Sequence, residues 1–118
     1  MKLLELFRDE DEATSYEAGD VVFQEGEPGS LMYVVLEGAV DVLRRGRTLE
    51  RVSPGGLFGE MALLDQSERS ATAIASDSTR LAPVSRERFE ALVQKTPWFA
   101  VHVLRVLADR VRRMNELG

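Results

Sequence analysis

Short apolar segments separated by glycine-bearing turns run through the first two-thirds of the chain, at positions 21–24, 31–36, 39–43, 48–52, 71–75 and 80–85. Their length and their content of β-branched and aromatic residues predict strands. The punctuation between them is Ala18-Gly19-Asp20, Glu25-Gly26-Glu27-Pro28-Gly29, Glu37-Gly38, Arg45-Gly46-Arg47 and Pro54-Gly55-Gly56, all of which suit turns. Near-regular spacing of short strands predicts a mainly β, antiparallel sandwich or barrel. Pro83 lies within the last segment, and its missing N–H restricts it to an edge or a bulge. Beyond Ser85 the period changes. Phe89, Leu92 and Val93 follow helical spacing, so a helix is expected over 86–94 with Ser85 as its N-cap. Thr96-Pro97 then begins a second helix that runs to about Leu117, since proline is well suited to a first helical position. Residues 1–7 read as a short docking helix. No internal repeat, low-complexity segment or linker divides the chain, so 1–118 is expected to be one domain, with β structure over about 13–85 and helices over about 86–117.

Composition narrows the function. At 118 residues and 44% apolar content, the chain can close one hydrophobic core. It has no cysteine, which excludes disulfides, thiolate metal sites and cysteine nucleophiles and fits a cytoplasmic location. The longest apolar run, 31–36, is far shorter than the roughly 18 residues a membrane-spanning helix requires, and the first residues lack a secretory apolar region. A net charge of −5, from 20 acidic and 15 basic residues, disfavours a nucleic-acid surface. An anionic small molecule could still be held by a local site, which directs attention to particular arginines.

The chemistry-bearing stretch is Phe58-Gly59-Glu60-Met61-Ala62-Leu63-Leu64-Asp65-Gln66-Ser67-Glu68-Arg69-Ser70-Ala71-Thr72. Gly59 allows a close backbone approach, and residues 60–64 are expected to form one helical turn whose free amides point at an anion. Arg69 offers a planar, permanently charged fork matched to phosphate oxygens, and Ser70 adds a hydroxyl beside it. Glu60 has the wrong sign for phosphate but is a strong acceptor for a sugar hydroxyl. Taken singly, each has an ordinary structural explanation. Glu60 would complement a helix dipole, and Arg69 would pair on the surface with Asp65 or Glu68.

Taken together, Phe58-Gly59-Glu60, the small apolar turn Met61-Ala62-Leu63-Leu64 and Arg69-Ser70-Ala71 resemble the phosphate-binding cassette of the cyclic nucleotide-binding domain family. Phe23-Gln24-Glu25-Gly26-Glu27-Pro28-Gly29, Tyr33-Val34-Val35-Leu36-Glu37-Gly38 and the closing Ala108-Asp109-Arg110 are also similar to that family, especially to the sensor domains of catabolite-activator-type bacterial regulators. The resemblance implies a jelly-roll, or double-stranded β-helix, of eight strands, flanked by an N-terminal helix, a cassette helix and C-terminal helices. It also implies a ligand, cyclic AMP or cyclic GMP, and no other cofactor. By the same resemblance Glu60 accepts from the ribose 2′-OH, Arg69 binds the exocyclic phosphate oxygens, backbone amides from Gly59 to Ala62 complete the cradle, and Ser70 contacts phosphate or a guanine edge. Phe58, Met61 and Ala71 line the same site.

Leu104, Leu107, Val111 and Met114 recur at spacings of three and four along the terminal helix and form a heptad-like seam, while Phe99, Val103 and Val106 occupy a neighbouring face. Two-sided burial is expected, with the seam meeting its copy in a homodimer; packing of the whole helix on its own β-roll is the other possibility. Related domains lay this helix over the purine, which implies a ligand-biased shift in helix position. Arg110 matches the family's base-adjacent arginine, or is a solvated charge within Arg110-Val111-Arg112-Arg113. Where the best cyclic AMP readers of the family place a Thr-Ser pair, this chain has Met114-Asn115, so base selectivity is left to experiment, with cyclic AMP preferred and cyclic GMP next.

A cupin-like metalloenzyme would share the β-roll but needs a histidine cluster, and the single histidine, His102, lies in the terminal helix. No metal site and no catalysis are expected. A β-roll that serves only for docking or dimerisation is the more serious alternative. No helix-turn-helix, kinase or channel segment precedes Gly118, so the expected reading is either a small sensor acting on a separate partner or one domain of a longer regulator.

Overall fold

The structure is a computed structural model, and it describes residues 2–64 and 68–117. A short helix α1 (Lys2–Leu6) precedes strands β1 (Thr14–Tyr16), β2 (Val21–Phe23), β3 (Leu31–Glu37), β4 (Val40–Arg44), β5 (Arg47–Val52) and β6 (Leu57–Phe58). Helix α2 (Met61–Leu64), strands β7 (Thr72–Ala75) and β8 (Thr79–Ser85), and helices α3 (Arg86–Lys95) and α4 (Pro97–Leu117) complete the order. No helix among the described residues is long and apolar enough to cross a membrane.

Two four-stranded antiparallel sheets, ordered β1-β8-β3-β6 and β2-β7-β4-β5, form a β-roll. The chain changes sheet at almost every connection, so neither sheet can assemble without the other. Val35, Phe58 and Leu81 of the first sheet close a core with Phe23, Val40, Val52 and Ala73 of the second. β3 is buried on both faces: Met32 and Val34 point one way, Val35 the other, and all three are fully enclosed. Such a strand reads as a continuous apolar run rather than an alternation. Leu3 within α1 and Phe7 just beyond it are also buried.

All six expected strands are present, each with its ends within a residue of the predicted positions. β1 and β6, at three and two residues, were beyond the reach of periodicity and became visible only through their pairing partners. Pro83 was expected at an edge or bulge, yet β8 lies between β1 and β3. The conflict disappears in the register: β1 pairs with β8 only from Thr79 to Leu81, so at Pro83 the strand pairs with β3 alone, opposite Tyr33. Its missing N–H therefore interrupts no ladder on the β1 side.

The chain divides into two compact units at Arg86. In the second, Pro97 takes the first position of α4, and the Thr96 carbonyl accepts from the Phe99 amide at 2.9 Å. Phe99 is fully buried and meets Phe89 edge-on, with ring centroids 5.6 Å apart.

Candidate functional site

Phe58 is fixed by the pairing of β6 with β3, which sets it opposite Tyr33. The two rings stack at 5.4 Å, and Phe23 of the other sheet stands 5.9 Å from Phe58 and 6.2 Å from Tyr33. This aromatic cluster joins the two sheets where the cassette begins. From it the chain turns at Gly59, whose φ of 78° lies in the left-handed region that side chains rarely adopt. α2 then begins, with Ala62 and Leu63 buried and Met61 and Leu64 exposed. Its tightness is partly self-satisfied: the Ala62 amide donates to the Gly59 carbonyl at 3.4 Å, and Leu63 and Leu64 donate to Glu60 at 3.0 and 3.3 Å. Of the amides expected to be free over Gly59 to Ala62, that of Ala62 is thus already engaged.

Glu60 and Arg69 are both buried, at 6% and 8% exposure. Asp65, one partner in the surface ion-pair reading of Arg69, lies outside the described residues, but burial by itself removes the arginine from the solvated surface. Its backbone is clasped to the turn between β2 and β3: the Arg69 amide donates to the Glu27 carbonyl at 2.8 Å, and its carbonyl accepts from the Gly26 amide at 2.8 Å. The guanidinium points inward. Nη1 donates to the Gly59 carbonyl at 3.2 Å and Nη2 to the Leu31 carbonyl at 2.8 Å, while Cζ stands 3.9 Å from the centre of the Phe23 ring. Nε is buried and has no acceptor among the described residues. Burial pushes the Arg69 pKa down, and the fields of Tyr33, Glu27 and Glu60 push it back up. An arginine tolerates such a shift and keeps its charge. Burial likewise raises the Tyr33 pKa, with the Arg69 charge opposing.

A buried cation whose Nε–H has no acceptor among the described residues, a buried carboxylate whose field acts on it and an exposed Ser70 next in sequence suit a ligand that carries an anion and a hydroxyl group. Ala71 is buried directly behind them. Residues 13–96 match the family model described as the cyclic nucleotide-binding domain. The chain belongs to that family.

This cyclic nucleotide-binding domain is 40% identical over 105 residues to the cyclic AMP receptor protein of Thermus thermophilus, covering 85% of this chain and 49% of the receptor. Its fold superposes on the Thermus thermophilus catabolite activator protein with a TM-score of 0.82 at 36% identity, over 97% of this chain and 56% of that one. A chain solved in work on a cyclic-GMP-dependent signalling pathway that regulates bacterial phytopathogenesis superposes with a TM-score of 0.79 at 32% identity, over 95% and 93% of the two chains. The domain thus spans about half the length of the Thermus relatives.

The remaining predicted residues of the domain lie in the helical unit rather than in the roll. Arg110 is half-buried on α4 and has an interaction partner, while Met114 is 68% exposed. Along the predicted seam Leu104, Val111 and Met114 are exposed and Leu107 is half-buried, whereas Phe99 and Val103 are buried. Sequence reasoning assigned no role to Phe23, Gly29, Leu31 or Tyr33. Phe23, Gly29 and Tyr33 stood within motifs that carried the family resemblance, but nothing in their spacing connected them with Arg69.

Proposed function

We propose that this domain senses cyclic AMP and transmits its occupancy through the position of α4. The observation that carries the reading is the burial of Arg69 and Glu60 together in the cassette, two opposite charges held within each other's field. Burying a charge is expensive, and a buried guanidinium whose Nε–H has no acceptor among the described residues favours a ligand role over a purely structural one. In this reading Arg69 takes the exocyclic phosphate oxygens, Glu60 accepts from the ribose 2′-OH, and Phe58, Gly59, Met61, Ala62, Ser70 and Ala71 shape the pocket. By family resemblance, Arg110 and Met114 of α4 are the residues assigned to the base. The 40% identity to a cyclic AMP receptor protein supports the adenine ligand.

Cyclic GMP is the second reading, favoured by the exposed Ser70 hydroxyl beside Arg69 and by the neighbour solved in a cyclic-GMP signalling study. We further propose that the whole chain acts as one regulatory unit in the cytoplasm, without catalysis or DNA contact of its own. Two copies would pair through Leu104, Leu107, Val111 and Met114. Titration calorimetry and thermal unfolding with each nucleotide test the proposal. A binder gains stability as ligand rises past its Kd. A melting temperature unmoved by both nucleotides at millimolar concentration would sink it and leave a docking module.

A further inference from the structure

Two glycines of the turn between β2 and β3 are glycines for opposite reasons. Gly26 has a φ of 90° and open space around the position of a Cβ, so its backbone conformation is what matters. Gly29 is not among the positive-φ glycines. A Cβ added there would lie 2.3 Å from Arg69 Nε, 2.5 Å from Cζ and 2.9 Å from Nη2. Gly29 therefore supplies room, and the room is occupied by one guanidinium.

We propose that Gly29 is a positioning residue for Arg69, kept bare so that the guanidinium can seat against the turn; the inference rests on the reading of Arg69 as the phosphate ligand. The turn cannot easily withdraw, because Gly26 and Glu27 are hydrogen-bonded to the Arg69 backbone. The guanidinium is the far end of a flexible side chain, so it is the group that yields. A methyl at position 29 drives it off the Leu31 and Gly59 carbonyls and away from the Phe23 ring, while the roll itself stays folded. The seat also decides which nitrogen is left over: with Nη1 and Nη2 each on a carbonyl, Nε is the guanidinium nitrogen that has no acceptor among the described residues. Position 29 thus sets how the phosphate group is offered its donors, without touching the ligand.

The test is a mutant cycle on the full chain with Gly29→Ala, Arg69→Ala and the double variant, read by urea unfolding and by calorimetry with cyclic AMP. Alanine at 29 is expected to weaken cyclic AMP about tenfold or more when Arg69 is present, the scale of a lost charge-assisted hydrogen bond. In the Arg69→Ala background it should change affinity and stability by less than about twofold in the equilibrium constant, because the group it strikes is gone. Equal losses in both backgrounds, or no loss in either, would overturn the proposal. If the unmutated chain binds neither nucleotide, the ligand reading fails, but the stability cycle and the Arg69 Nε–H resonance still report on the seat. Collapse of the Gly29→Ala penalty on removing Arg69, with a displaced Nε–H signal in Gly29→Ala, upholds it. A penalty that persists in the Arg69→Ala background, with an unmoved signal, rejects it.

Discussion

Arg69 reaches across 38 residues of sequence to donate through Nη2 to the Leu31 carbonyl at 2.8 Å. The bond ties the cassette to the first residue of β3, and with the Gly59 contact it turns one side chain into a brace between three segments. Arg69→Ala is expected to leave both carbonyls without this donor and to lower folding stability by about 1–3 kcal/mol, less the relief of a buried cation. Cyclic AMP affinity should fall by about one to two decades. Urea unfolding and calorimetry read the two effects separately, and unchanged affinity would remove Arg69 from the ligand site.

Gly59 stands where backbone and side-chain demands coincide. Its φ is +78°, and an added Cβ would lie 3.0 Å from Arg69 Nη1 and 3.3 Å from the Phe23 ring. Gly59→Ala should therefore cost about 1–3 kcal/mol in backbone strain alone. The same variant should weaken nucleotide binding, because the brace and the turn share this residue. A variant as stable as the parent in denaturant would show that the turn relaxes without penalty.

Glu60 is assigned to the ribose 2′-OH, and a modified ligand tests this directly. The 2′-deoxy analogue of cyclic AMP should bind the parent about tenfold more weakly than cyclic AMP, since a buried acceptor loses its donor. Against Glu60→Ala the two ligands should bind alike. Discrimination that survives the substitution places the hydroxyl elsewhere.

The seam on α4 makes the oligomer testable. Leu104 is 64% exposed and Val111 is 55% exposed, so neither side chain belongs to the buried core of the helical unit. Leu104→Glu with Val111→Glu should yield a monomer by light scattering with unchanged far-UV circular dichroism, because burying these carboxylates between two copies is unfavourable. A parent chain that is itself monomeric at micromolar concentration would exclude the dimer.

Much of the fold was legible because its signals are local. Strand segments such as 31–36 and 48–52 announce themselves by composition and by the glycines between them, and Thr96-Pro97 starts α4 through the fixed φ of proline. β1 and β6 were not legible. A strand of two or three residues carries no period, and only its partner's hydrogen bonds define it. Pro83 gave a correct physical constraint whose resolution depended on where β1 ends.

The candidate site divides along the same line. Sequence alone determined that Gly59, Glu60, Arg69 and Ser70 lie close together along one segment, with the residue types that an anion and a hydroxyl require. That follows from side-chain chemistry, which needs no coordinates. Only the tertiary structure decided that Arg69 is buried rather than solvated, that its partners are the carbonyls of Gly59 and Leu31, and that Phe23 and Gly29 shape its seat. Those relationships cross between sheets and turns far apart in the chain, and backbone carbonyls and the space left by a missing side chain have no signature in residue identity.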